Sequence, residues 1–70
     1  MIRRLSEMER TMALQRLKET SERVADLEAR IHRLKEKGQP IVEAERLLRL
    51  MRRSRGMMRR YVDLLTKDQA

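Results

Sequence analysis

The feature that most constrains the fold of this chain is the segment Lys37-Gly38-Gln39-Pro40, which separates two long stretches with helical periodicity. Glycine is the preferred residue just past a helix, where the backbone takes a positive φ. Proline suits the first position of a new helix, because its missing N–H costs no hydrogen bond there. The sequence therefore predicts one helical-hairpin domain over 1–70, with helices at about 2–37 and about 40–66 joined by a tight turn at 38–40.

The first predicted helix carries its apolar residues in two phases. From Leu17 onward the spacing is a heptad, whereas Leu5, Met8 and Met12 follow a different phase. One coiled-coil frame therefore does not cover the whole helix. The four residues that start at Ser6 have the spacing of a capping box, which leaves a helix start at Ser6 as an alternative.

The second predicted helix is apolar around more than half of its circumference. A heptad that begins at Ile41 is flanked by a second apolar line through Leu47, Leu50, Met57, Tyr61 and Leu64. A helix that packs against one neighbour needs an apolar stripe only about 100° wide. Since a two-helix hairpin supplies one neighbour, the second is expected to come from another chain.

Gly56 lies inside this second helix. A helical glycine costs up to about 1 kcal/mol relative to alanine, but propensity is a weak guide to where a helix ends. An unbroken or gently bent helix is favoured over a break that would create a third helix.

Unequal helix lengths also point to association. Folded back through the turn, Thr66 is expected to reach the first helix near Met12, which leaves an overhang of about ten residues, or about 15 Å. A chain this short has a marginal core, and with no Cys and a single His it has neither disulfides nor a structural zinc site to support it.

We therefore predict an all-α antiparallel two-helix hairpin that forms a dimeric four-helix bundle or a coiled-coil-like assembly. The residues predicted at the helix–helix or oligomer interface are Leu5, Met8, Met12, Leu17, Val24, Leu27, Ile31, Leu34, Ile41, Leu48, Met51, Arg55, Met58, Val62 and Leu65.

Arginines are concentrated in the second helix, with no acidic residue between Glu45 and Asp63, in a chain of net charge +7. Six of them project away from the apolar heptad: Arg46, Arg49, Arg52, Arg53, Arg59 and Arg60. Guanidinium groups bind phosphate in two-point fashion, so these residues are a possible polyanion-binding face. The favoured alternative is a solvated face, because no DNA-reading motif and no base-stacking aromatics accompany them.

Arg55 is different, because it falls inside the heptad. One hypothesis is an interhelical ion pair with Glu19, Glu22 or Asp26 that fixes the register of the helices. The equally weighted alternative is that its aliphatic stem lies over the core while the guanidinium reaches water.

The sequence carries no catalytic or metal-binding motif. The sequence has no Ser/His/acid or Cys/His constellation and no glycine-rich phosphate loop, and two helices offer no cleft, so we expect no enzyme activity, no cofactor and no metal. The leading hypothesis is a small homodimeric interaction protein that acts as an assembly or regulatory adaptor for another protein. The alternative is a basic nucleic-acid-binding dimer. A membrane partner is not expected, for lack of a long apolar run and of Trp or Phe anchors. A cytoplasmic location is expected.

Overall fold

The protein folds as a hairpin of two α-helices packed against each other. The structure, a computed structural model, describes the backbone of residues 2–68 and the side chains of residues 7–67. Helix α1 spans Ile2–Glu36 and helix α2 spans Val42–Asp68, and the two form an antiparallel pair about 55 × 15 × 14 Å in extent. The predicted all-α hairpin is confirmed for this single chain.

Helix α1 ends in a Schellman motif built on Gly38. The φ angle of Gly38 is 69°. Its N–H donates to the carbonyl of Lys35 at 3.0 Å, and the N–H of Gln39 donates to the carbonyl of Leu34 at 2.9 Å. These two bonds satisfy carbonyls that the last helical turn would otherwise leave without a donor. The sequence signal at Gly38 was therefore interpreted correctly.

Helix α2 begins two residues later than predicted. The N–H of Glu45 donates to the carbonyl of Ile41 at 2.8 Å, which makes Ile41 the N-cap residue and Val42 the first helical residue. Pro40 lies before the cap, so the prediction that it opens the helix was wrong. The chain uses the two additional residues to complete its reversal, and Ile41 packs there against the buried cluster.

Two alternatives left open by the sequence are decided by the helix bounds. Helix α1 begins at Ile2, so the capping-box spacing at Ser6 does not mark its start. Helix α2 continues without a break through Gly56, as the favoured alternative predicted.

The core is small for the amount of apolar surface that the chain carries. Among the described side chains, the buried hydrophobic residues are Val24, Ile31, Leu48 and Val62. The large hydrophobic residues that remain exposed are Met8, Met12, Leu14, Val42, Leu47, Leu50, Met57, Tyr61 and Leu64. More large apolar side chains therefore face solvent than lie in the core.

Tyr61 joins the two helices near the start of α1. Tyr61 lines a groove together with Met12 and Ala13, and its hydroxyl donates to a carboxylate oxygen of Glu9 at 3.4 Å. Helix α1 has 35 residues and α2 has 27, so α1 extends beyond α2 by about eight residues, where about ten were predicted. The side chains of Ile2 and Leu5 in this overhang lie outside the described residues, whereas that of Met8 is exposed.

The two glycines give a matched test of these backbone assignments. We expect Gly56→Ala to stabilise the protein by up to about 1 kcal/mol, because alanine is the better helix former and a Cβ at Gly56 meets no atom within 4 Å. We expect Gly38→Ala to destabilise it by about 1–2 kcal/mol, the cost of a positive φ for an L side chain. Thermal unfolding of both variants at one protein concentration measures the difference. Equal shifts of the unfolding midpoint in the two variants would contradict the assignment of Gly56 to a helix and of Gly38 to a positive φ.

Candidate interaction surfaces of the hairpin

The residues predicted at the interface fall into three groups by exposure. Val24, Ile31, Leu48 and Val62 are buried in the hairpin. Another set is half-buried: Leu17, Leu27, Leu34, Ile41, Met51, Arg55, Met58 and Leu65. Met8 and Met12 are 62% and 55% exposed, and the side chain of Leu5 is not described. The heptads therefore identify the contact between the two helices of one chain, while Met8 and Met12 remain uncovered by it.

A second line of apolar side chains on α2 lies beside the face that packs against α1. Its exposed members are Leu47, Leu50, Met57, Tyr61 and Leu64, which are 43% to 64% exposed. Together with Ser54, they alternate spacings of three and four residues, which is the pattern of a coiled-coil seam. We call these six residues the outer stripe. A seam of this kind is normally covered by another helix, and among the described residues neither α1 nor α2 covers this one.

Two open grooves between α1 and α2 lie on the side of the hairpin that carries the outer stripe. One is lined by Met12, Met58 and Tyr61 among others. The other is lined by Leu47 and Met51 together with Leu27 and charged residues of α1. Because Tyr61 and Leu47 belong to both the grooves and the outer stripe, the apolar surface is continuous from α2 into the grooves.

The six arginines of the predicted polyanion-binding face are all exposed. Within the described side chains, Arg52 is the one member with an ion pair, which joins its Nη2 to Oε2 of Glu28 at 3.1 Å. Both side chains are about half exposed, 49% and 48%, so solvent screens the pair and it stabilises the hairpin by less than about 1 kcal/mol. The other five guanidinium groups have no ion pair with a carboxylate among residues 7–67.

Three of these arginines border the outer stripe. Arg46, Arg53 and Arg60 each directly precede a stripe residue and recur every seven positions. This spacing places them in a single row along one edge of the stripe. We call Arg46, Arg53 and Arg60 the edge arginines. Arg49 lies further around the helix, away from the stripe.

Arg55 forms none of the ion pairs proposed from the sequence. It is half-buried on the α1 side of α2, and within the described side chains no carboxylate of Glu19, Glu22 or Asp26 lies at ion-pair distance from it. The alternative, in which the stem of Arg55 covers apolar surface and its guanidinium reaches water, stays a prediction.

Two polar contacts were not predicted from the sequence. The pair between Arg52 and Glu28 joins the helices across the side opposite the grooves, and the bond between Tyr61 and Glu9 joins them near the start of α1. Both depend on the register in which α1 and α2 pack, which heptad spacing does not specify. The side chain of His32 is 75% exposed, and its Nε2 lies 3.0 Å from Oε1 of Glu36 within α1.

Other kinds of site are not found in the part of the chain that the structure describes. No group of three or more His, Cys, Asp or Glu side chains is arranged to hold a metal ion. Neither helix is long and apolar enough to cross a membrane. The surfaces that remain as candidates are the outer stripe with its grooves and the arginines beside them.

Fold and surface together define an all-helical hairpin with a line of exposed apolar side chains on α2. Comparison with known proteins adds no assignment to this description, since no family model, no curated protein and no solved structure matches the chain.

Proposed function

We propose that this protein acts as a homodimeric helical interaction module, and that the outer stripe of α2 is its association surface. The observation that carries the proposal is the heptad spacing of apolar side chains that remain about half exposed on α2. Contiguous exposed apolar surface of this kind marks an interaction site in soluble proteins. The proposed activity is binding alone, without a catalytic step or a cofactor.

The surface area of the chain supports this proposal. The chain exposes 6191 Å², whereas a compact monomer of 8.5 kDa exposes about 4,650 Å². The excess of roughly 1,500 Å² is larger than the roughly 800 Å² that each partner hides in a stable interface of standard size. The radius of gyration, 16.1 Å, likewise exceeds the value of about 11 Å for a compact domain of this length.

Sedimentation equilibrium of the full chain tests the proposal. We expect a mass of about 17 kDa, twice the 8.5 kDa of one chain, over a range of protein concentrations and with helical circular dichroism retained. The physical reason is that the outer stripe and its grooves lose contact with water only when a second copy covers them. A helical monomer at every concentration, including concentrations well above micromolar, would contradict the proposal.

Nucleic-acid binding is the second candidate function. The observation that favours it is the exposure of six arginines, five of which are not paired with carboxylates within the described side chains. Phosphate groups could therefore bind them without first displacing a protein partner. The six arginines are spread over two sides of α2.

A further inference from the structure

We propose that two copies of this chain pack α2 against α2 in antiparallel orientation, so that their edge arginines join into one row that binds the phosphate backbone of a nucleic acid. This inference rests on the proposed homodimer and adds its geometry and a ligand class.

The outer stripe is complementary to a reversed copy of itself. When a two-fold axis passes between Ser54 and Met57, Leu47 lies opposite the partner's Leu64. Leu50 then lies opposite the partner's Tyr61. In the middle, the small side chain of Ser54 lies opposite the partner's Met57. A two-fold interface requires such self-complementarity, because every contact occurs twice.

The residues on the two sides of the stripe favour the antiparallel orientation over the parallel one. On the groove side, the flanking positions are the half-buried Met51, Met58 and Leu65. On the other side they are the edge arginines. In a parallel pair each flanking row faces the opposite row of the partner, so arginines would lie against apolar side chains. In an antiparallel pair each row faces the same row, so the apolar rows cover each other.

The antiparallel orientation brings the two rows of edge arginines together at one rim of the dimer. Six guanidinium groups would alternate between the two copies along about 28 Å of helix, at 1.5 Å of rise per residue. Like charges this close repel each other, and the repulsion weakens only when salt or a bound anion screens it. A phosphate backbone supplies repeated anionic groups that each accept two guanidinium hydrogen bonds.

Disulfide trapping tests the geometry. The chain contains no Cys, so Leu47→Cys and Leu64→Cys each introduce a unique thiol. In the antiparallel dimer position 47 adjoins the partner's position 64, whereas the two copies of position 47 lie about 26 Å apart. We expect oxidation of an equimolar mixture of the variants to give mixed disulfide dimers, and oxidation of Leu47→Cys alone to give none. Efficient cross-linking of Leu47→Cys alone would overturn the antiparallel assignment.

Salt-dependent binding tests the ligand. We expect the wild-type dimer to bind duplex DNA or duplex RNA of about 20 base pairs with a slope of log K against log salt of about −5, for six phosphate contacts. Arg53→Gln removes two of these contacts per dimer, so the slope should fall to about −3.5. Arg49→Gln is the matched control: its guanidinium is exposed and likewise not ion-paired, but it lies away from the outer stripe. It should leave the slope unchanged.

The outcomes separate this inference from the proposed homodimer. A monomer in sedimentation under all conditions would remove both. A stable dimer that binds the duplex with no salt dependence, or not at all, would overturn the nucleic-acid ligand and leave the homodimer standing. If Arg49→Gln and Arg53→Gln reduced the salt slope equally, the assignment of phosphate binding to the edge arginines would be overturned. Binding would then involve the whole arginine-bearing side of α2.

Discussion

Leu50→Ala is expected to weaken self-association by about 100-fold while leaving the helices of the hairpin intact. Leu50 is 57% exposed in the single chain. Its burial by a second copy should contribute about 1.5 kcal/mol, or about 3 kcal/mol for the two copies of a dimer. Each 1.4 kcal/mol changes the dissociation constant about tenfold. Sedimentation at a series of concentrations gives the dissociation constants of both proteins.

Leu14→Ala serves as the control for this experiment. Leu14 is 43% exposed on α1 and lies outside both the outer stripe and the grooves beside it. The same three carbon atoms are removed, so a general loss of apolar surface would weaken both variants alike. We expect the dissociation constant of Leu14→Ala to stay within a few-fold of wild type. A Leu50→Ala protein that associates as tightly as wild type would exclude the outer stripe as the interface.

Val24→Ala is expected to lower the free energy of unfolding by about 2 kcal/mol. Val24 is fully buried, with 0% exposure, and packs in the cluster that holds α1 and α2 together. The substitution removes buried methyl groups and leaves a cavity, and only part of the loss is recovered from the better helix propensity of alanine. In a domain of this size, the loss should reduce the midpoint of thermal unfolding by about 10 °C.

Val42→Ala is the matched control, because it makes the same substitution at a position that is 63% exposed. Its unfolding midpoint should lie within about 2 °C of wild type, as for most surface substitutions. All proteins must be compared at one concentration, since association makes the midpoint depend on concentration. Equal effects of the two substitutions would mean that Val24 is not in a packed core.

The position of the turn and the number of helices could be predicted from the sequence. Glycine at a helix end has a local cause, a positive φ, which Gly38 confirms. The heptads are also local, and they place Val24 and Leu48 correctly in the core. The start of α2 could not be predicted to the residue, because Pro40 is compatible both with the first helical position and with the chain before the cap.

Contacts that depend on how the two helices pack could not be predicted from the sequence. The hydrogen bond from Tyr61 to Glu9 and the ion pair between Arg52 and Glu28 require a specific register between the helices. Helical periodicity identifies the face on which a residue lies, but it does not specify which residue of the other helix lies opposite. The outer stripe, by contrast, was visible as a second apolar line, although its partner remains a prediction.

The turn at Gly38 determines where a label, a tether or a fused domain can be attached to this hairpin. It connects the helices at one end of a rod about 55 Å long, so Ile2 and Asp68 both lie toward the other end. A fluorophore, a tether or a fused domain added at either helix end would emerge at the same pole. The turn end and the long faces of the hairpin would stay free of the attached group. In an antiparallel pair, the ends of the two hairpins that carry the helix termini would point in opposite directions. Energy transfer between labels at the start of α1 in each copy would report the distance between those ends.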